Sequence, residues 1–494
     1  MNRLRRWSAL AGLVLVTGLF PALRGQAPPP AEKKGEEKPA EKWLFDRTLA
    51  VSPAAAPVPA LKYRLYPPIT ERKDGNAVPI YLRFAHERSD ARKKELREKP
   101  EEWNKLPLEK LPLAEVKQFL DEHRLKYNMR QLELGARRKT ADWNYTLDAG
   151  DLIGLLLPDM QEMRMQAPLL VLKARVEMVE GHYADAIRTL ETGFSFSQHI
   201  NEGPFLIGSL IGIAVANQMA DCALEMVERP GATNLYWALT VLPRPLIDLR
   251  RPLENEFALL EMQFPDMADL DRSRTPEQWN AVLFRVRKEI ERLSRIEEGN
   301  PPGVKAPKAG TGSADPADKS PDLEAARKYL TEVAGMSAAH VEAMPPAQVL
   351  VLYLSNFYHE QRDAFFKASY LPFPQGRPLD QAADERLKSL PNTEPARVAR
   401  LFLPALLRVR LAELRLARKL EALRAIEALR MHAVQARQLP DRLDQVTVVP
   451  VPNDPGTGKA FGYQRDGQTA TLTSRIPGEP LETTGLRYRV TLRK

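Results

Sequence analysis

The stretch MQAPLLVLKARVEMVEGHYADAIRTLETGFSFSQHINEGPFLIGSLIGIAVANQMADCALEMVE, residues 165–228, decides the fold. It reads as two or three packed helices with a turn at Glu180-Gly181-His182-Tyr183. Gly181 supplies the backbone freedom that such a turn needs. After Asn201-Glu202-Gly203-Pro204 a second apolar run begins, Phe205 to Ala216, with Gly208 and Gly212 four residues apart. Small residues at that spacing let a neighbouring helix approach closely, in a soluble core or on a membrane dimer face. The run is shorter than the roughly 20 residues that a span requires, so a buried helix is expected. Asn217, Gln218 and Asp221 return the helix to a wetter surface, and Arg229-Pro230-Gly231 stops it.

Leu170, Ala174, Gly181, Tyr183, Ala186, Leu190 and Gly193 resemble the spacing of a tetratricopeptide repeat. The resemblance implies an antiparallel helical hairpin with Tyr183 in the wedge between helices. Lys173 and Glu177 depart from it, because they occupy slots that large apolar residues usually fill. There is one copy and no clean second, so a hairpin is expected rather than a repeat array.

The chain has 494 residues, 44% hydrophobic and 7% aromatic, a composition that points to a mainly helical protein of several parts. The net charge of +8 arises from 72 basic and 64 acidic residues spread along the chain. That balance, without a nucleic-acid motif, implies no specific nucleic-acid partner. The one cysteine, Cys222, lies in the apolar helix, which excludes an internal disulfide and favours a structural thiol.

Arg3, Arg5 and Arg6 precede the apolar stretch from Trp7 to Leu23. This is the order of an export signal, with cleavage expected after Gly25 or the segment retained as an anchor. Residues 1–25 are therefore read as a signal peptide and 26–42 as a disordered linker of Pro, Glu, Lys and Ala. Residues 43–295 form the expected helical domain. Residues 296–321 form a low-complexity linker or loop, 322–437 a helical segment and 438–494 a small β unit.

Within these parts, Ala60 to Leu65 alternates like a short strand and Asn76 is placed to cap a helix. Leu113 to Leu134 reads as one amphipathic helix with Val116, Phe119, Leu120, His123 and Tyr127 near its apolar face. A helix is expected to begin at Asp148. Others are expected over Leu253 to Met262, from the Thr275-Pro276-Glu277-Gln278 start, at Leu323, over Ser337 to Ala343 and over Pro346 to Lys367.

Glu394 to Ala436 is the longest helical run, with Pro404 as a kink or the true start. Leu416, Leu420, Leu423 and Leu429 mark its apolar stripe. Its arginines, Arg397, Arg400, Arg408, Arg410, Arg415, Arg418, Arg424, Arg430 and Arg437, are read as a solvated face, with anionic lipid or nucleic acid as the alternative. Val446 to Val451 is β-rich. Phe461 to Thr473 around Asp466-Gly467 reads as a hairpin, and Arg487 to Leu492 as a last strand. The fold expected is thus mainly α: an irregular helical array with a tetratricopeptide-like hairpin, then a small antiparallel β unit after a long helix.

Two stretches resemble an uncharacterised family of secreted bacterial proteins. One comprises Leu429-Arg430, Gln438-Leu439-Pro440, Leu443, Val451-Pro452, Asp454-Pro455, Thr457-Gly458-Lys459 and Phe461-Gly462-Tyr463. The other runs from Glu162 to Asn217 and adds Asn234-Leu235-Tyr236-Trp237-Ala238-Leu239 and Leu242-Pro243-Arg244-Pro245. The first is also similar to the soluble part of type II secretion pseudopilins, where a long helix meets a loop with Asp-Pro and Gly before a small sheet. The pseudopilin methylation motif and its calcium loop are both missing here. The resemblance implies no activity.

The seven histidines, His86, His123, His182, His199, His340, His359 and His432, form no zinc-binding pattern. His359, Glu360 and Asp363 fall on adjacent helix turns and are either a metal corner or a hydrated face. Gly456-Thr457-Gly458-Lys459 lacks the first glycine and final hydroxyl of a phosphate loop, and no Gly-x-Ser-x-Gly elbow occurs. No catalytic, cofactor-binding or metal residue is therefore assigned and no cofactor is expected. The leading expectation is an exported, periplasmic or extracellular interaction or scaffold protein with protein partners in the cell envelope. It would touch the membrane only through a retained signal segment. An envelope hydrolase and a pseudopilin-like assembly component are the alternatives.

Overall fold

The structure is a computed structural model that describes residues 41–86, 90–123, 125–145, 158–257, 259–297 and 321–493. The expected export signal, nearly all of the expected linker over 26–42, the helix expected from Asp148 and the segment 298–320 lie outside the described residues. The protein is mainly helical with a small four-stranded sheet. The described chain forms two compact units. One is continuous but for Tyr145, running over Leu253–Arg410. The other is discontinuous, built from residues 41–144, 158–252 and 411–493.

The discontinuous unit opens with strand β1 (Phe45–Val51), β2 (Lys73–Asn76), and helices α1 (Val78–His86) and α2 (Asp90–Trp103). Next come α3 (Leu113–Glu122), α4 (Leu125–Ala136) and β3 (Arg138–Thr140), which pairs with β2. Then come α5 (Pro158–Arg164), α6 (Gln166–Val179), α7 (Tyr183–Asn201), α8 (Leu206–Val227) and α9 (Tyr236–Thr240). Asn76 accepts from the Val78 N–H, as its capping role requires.

The hairpin of α6 and α7 is present. Gly181 sits at φ +77°, the Gly181 N–H donates to the Met178 carbonyl, and the His182 N–H donates to the Glu177 carbonyl. That pair of bonds is a Schellman ending, which satisfies carbonyls that the helix leaves open. Tyr183 does not fill the wedge: it is half-buried at the first position of α7, with its hydroxyl on the Pro230 carbonyl. The tightest crossing is instead α7 on α8. A Cβ on Gly212 would stand 2.6 Å from the Ser197 carbonyl oxygen, and one on Gly193 would stand 2.1 Å from the Met219 sulfur. Helix α8 is long and apolar enough to cross a membrane by length and composition, yet most of it is buried within the unit.

Two elements depart from the sequence reading. The stretch 113–134 is two helices, because the backbone leaves the helical region at His123, whose ring lies 4.4 Å from that of Phe119. The break shifts the phase of the second helix, so Tyr127 is 59% exposed rather than in the core. Residues 60–65 form turns, not a strand. The strand lies earlier, at β1, where only Leu49 and Val51 are fully buried.

Helix α10 (Arg250–Phe257) crosses the boundary between units. The continuous unit holds α11 (Leu259–Gln263), α12 (Pro276–Glu297), α13 (Pro321–Glu332), α14 (Ala338–Ala343), α15 (Pro346–Ser369), α16 (Phe373–Ser389) and α17 (Glu394–Phe402). The described residues of the predicted helix over 253–262 are helical, in α10 and α11. At the start of α12, Gln278 accepts from the Thr275 N–H and Thr275 Oγ1 from the Gln278 N–H, the reciprocal cap that the sequence implies. Helix α15 is the unit's centre and packs on α12, α13, α16 and α17. Helix α16 has no counterpart in the sequence reading; Pro372 precedes it and Pro378 lies inside its first turns. At 2.5 and 2.6 Å from Asp380, Arg410 buries an ion pair here and also donates to the Ala368 carbonyl.

The long run after Glu394 is two helices, with α18 (Pro404–Ala436) starting at the proline. From Leu411 onward α18 belongs to the discontinuous unit. Leu416, Leu420, Leu423 and Leu429 are buried, as the stripe implies. The arginines are only in part a solvated face: Arg397, Arg408 and Arg437 are exposed and Arg400, Arg415 and Arg424 half-buried, but Arg410, Arg418 and Arg430 are buried. The chain ends in β4 (Gly462–Asp466), β5 (Thr469–Ser474), α19 (Leu481–Thr484) and β6 (Leu486–Leu492). These three strands are antiparallel as expected, with the β4–β5 turn at Gly467-Gln468. Residues 446–451 form no strand. The sheet order is β1-β6-β5-β4, and β1 joins parallel, from Phe45 opposite Leu486 to Val51 opposite Leu492. The sheet is therefore mixed, and it ties the first described strand to the last.

Candidate functional site

Helices α6 and α7 are held antiparallel by the Gly181 ending, while α4 joins α7 near the α4 C-terminus. There the Ser195 hydroxyl donates to the Ala136 carbonyl and Arg137 pairs with Glu191 at 3.2 Å. Between the three helices, within the discontinuous unit, lies an open groove of about 860 Å³. Its floor is Leu170, Lys173 and Glu177 of α6, its walls Tyr127, Met129 and Arg130 of α4 and Arg188, Thr189 and Thr192 of α7.

Lys173 and Glu177, the two residues that fit the repeat spacing poorly, are explained by this groove. Lys173 Nζ donates to Glu177 Oε1 at 2.5 Å and to Thr189 Oγ1 at 2.7 Å. The Thr189 hydroxyl donates to Glu177 Oε2 at 2.7 Å. The floor is thus charged but internally neutralised, and it needs no apolar helix on top of it. On the walls Arg188 pairs with Asp185 at 2.6 Å and Arg130 with Glu133 at 2.8 Å.

Behind the α4 wall, Arg137 is shared by three carboxylates: Glu133 at 3.1 Å, Glu191 at 3.2 Å and Glu71 at 3.6 Å. The Glu191 carboxyl is pushed up to about 7, by burial first; Glu71 and Glu133 add to this and Arg137 opposes it. A second buried cluster lies nearby on α7. The His199 ring accepts or donates at Nδ1 opposite the Tyr81 hydroxyl, 2.7 Å away, and burial lowers the imidazole pKa to about 4. His199 is therefore a neutral core histidine.

The other residues singled out in the sequence have structural partners. His359 Nε2 lies 2.7 Å from Glu261 Oε1, Glu360 accepts from the Tyr329 hydroxyl and pairs with Arg386, and Asp363 pairs with Arg362. His359, Glu360 and Asp363 do not converge, and among the described residues no cluster of three or more His, Cys, Asp or Glu is arranged to hold a metal. Burial drives the Cys222 thiol far above its ordinary pKa, so it is not a reactive thiolate.

The Gly456-Thr457-Gly458-Lys459 turn wraps a buried arginine. Arg418 Nε donates to Asp454 Oδ1 at 3.0 Å, and its other nitrogens donate to the Thr484 carbonyl and the Ser474 hydroxyl. Asp454 also accepts from the Gly456 N–H, and a Cβ on Gly456 would stand 3.0 Å from Arg418. The Asp-Pro and Gly pattern thus serves to seat the sheet on α18. About three turns further along α18, Arg430 donates to the Ser52 and Ala232 carbonyls and pairs with the buried Glu427.

The groove was missed in the sequence, although Lys173 and Glu177 carried its signal: charged residues in slots reserved for packing. No family model, no curated protein and no solved structure matches this chain, so the groove is read from its own geometry.

Proposed function

We propose that this chain is an exported docking protein of the cell envelope whose groove between α4, α6 and α7 receives a segment of another polypeptide. The observation that supports the reading is the groove's chemistry. It is broad and open, its floor charges cancel one another, and an exposed tyrosine stands on its wall. A hydrolytic site needs titratable groups that converge on a reacting atom. Lys173, Glu177 and Thr189 are committed to each other, which suits a surface that holds a partner. Export rests on the arginines and apolar run of residues 3–23.

The test is a photo-crosslinking residue in place of Tyr127 in the full chain, with Phe284 of the other unit, 66% exposed, as control. In envelope fractions the Tyr127 position should give a discrete adduct and the Phe284 position should not. Equal labelling from both, or none from Tyr127, overturns the proposal.

A further inference from the structure

Arg137 directly follows α4, and its backbone is pinned. Its carbonyl accepts from the Lys73 N–H, and the Ala136 carbonyl before it accepts from the Ser195 hydroxyl of α7. Three carboxylates gather on its one guanidinium: Glu133 of α4, Glu191 of α7 and Glu71 from the segment before β2. One cation cannot neutralise three anions, and like charges that share a site favour keeping a proton on one of them. Glu71 and Glu133 have outlets to water, with side chains 54% and 32% exposed. The Glu191 side chain, 8% exposed, faces the end of α4 and has none. It is the member that holds the proton, and burial, with Glu71 and Glu133 adding to it, raises its carboxyl to about 7.

The remaining charges near this part of α7 do not relieve it. Arg188, on the same helix, favours the ionised form but is paired with Asp185. From α6, Lys173 and Glu177 are closed on each other and on Thr189. Helix α8 meets α7 here with Met219 at Gly193. The cluster also reaches the groove, because Glu133 lines it and pairs with Arg130 on the same wall.

We propose, on the footing of the docking role above, that Glu71, Glu133, Arg137 and Glu191 form a proton-controlled latch on the α4 wall of the groove. With the proton on Glu191 the wall is fastened to α7. Without it, a buried carboxylate reaches water only when the C-terminal half of α4 parts from α7, so the wall opens more often. The fastened carboxyl titrates above the 4.5 of an exposed one. The fastening is therefore complete below that value and fades as pH rises through about 7. The groove is ordered in acid and loosened in base.

Amide hydrogen exchange of the full chain, corrected for the intrinsic pH dependence of exchange, reads this opening. Peptides from the C-terminal half of α4 should lose protection roughly twentyfold between about pH 5.5 and about pH 8, while α12 of the other unit keeps its own. Glu191→Gln should remove the response. Glu71→Gln, at an exposed position, should move its midpoint towards acid, which the loss of a merely structural contact would not do. Equal protection of α4 at both pH values, or a response that survives Glu191→Gln, overturns the latch and leaves the docking reading to its own test. The adduct from position 127 separates the two. A yield that falls with pH in the parent but not in Glu191→Gln supports the latch, and a yield independent of pH overturns its control of the groove. No adduct at either pH removes the docking role alone, and hydrogen exchange still decides the latch.

Discussion

At the scale of single residues, the protein's buried charges carry more of the structure than its apolar residues suggest. Arg418 meets one carbonyl, one hydroxyl and one carboxylate, and Arg430 two carbonyls and one carboxylate, which is the condition under which a buried arginine is tolerated. Glu191 is the exception, held by an arginine that it must share. Its carboxyl titrates near 7 in the folded chain against 4.5 otherwise. Between those values the folded state keeps a proton that the unfolded chain has lost, so stability falls as pH rises through the window. Glu191→Gln keeps the neutral form, and the variant should lose about 1–3 kcal/mol less than the parent between pH 5 and pH 8. His199, depressed to about 4, gives the opposite slope at lower pH, but it is common to both proteins and cancels in the comparison. Chemical denaturation of the two proteins at each pH measures the difference. Parallel curves would show that Glu191 ionises normally.

At the scale of elements, close approach rather than the aromatic wedge holds the helices together. Gly212→Ala adds a methyl that meets the Ser197 carbonyl at 2.6 Å, and backbone cannot move aside as a side chain can. The substitution should destabilise by about 1–3 kcal/mol, even though alanine is by about 1 kcal/mol the better helix former. Gly181→Ala meets nothing within 4 Å and should cost only the strain of φ +77°, about 1 kcal/mol. Tyr183→Ala should cost less than the roughly 3–5 kcal/mol of a core aromatic, because the ring is half-exposed. Thermal melts of the three variants should rank them with Gly212→Ala lowest. If Tyr183→Ala melts lowest, the wedge, not the α7–α8 crossing, is the keystone of the hairpin. The same scale explains what the sequence concealed about the groove. Periodicity over residues 113–134 assigned Tyr127 to the core, and one break at His123 turned it outward.

For the whole molecule, the connection that matters runs between the ends of the described chain. Strand β1 completes the C-terminal sheet, and Ser52 just beyond it gives its carbonyl to Arg430 of α18. Lys419 lies over the Phe45 ring and pairs with Asp221 of α8. Helix α18 is therefore fastened to parts of the chain that precede it by hundreds of residues. A fragment from residue 394 to the end should aggregate, because the stripe and the β6 edge are both left bare. Adding residues 323–367 should not rescue it, since that stretch belongs to the continuous unit. Size-exclusion chromatography of both fragments decides this; a monomeric, cooperatively melting fragment would mean that the helix and sheet fold without β1.

The sequence by itself determined the helical class, the Gly181 hairpin, the Thr275 cap, the start of α18 at Pro404, the leucine stripe and the β4–β5 hairpin. All of these depend on interactions within a few residues, or on a period that one element displays alone. Tertiary structure decided which arginines of α18 are buried, where the fourth strand comes from and what Lys173 and Glu177 face. An arginine on a helix reads the same whether water or a carbonyl from residue 52 receives it. A strand with two buried residues in seven shows too little alternation to be seen. A groove exists only between elements, so no single stretch of the chain could have shown it.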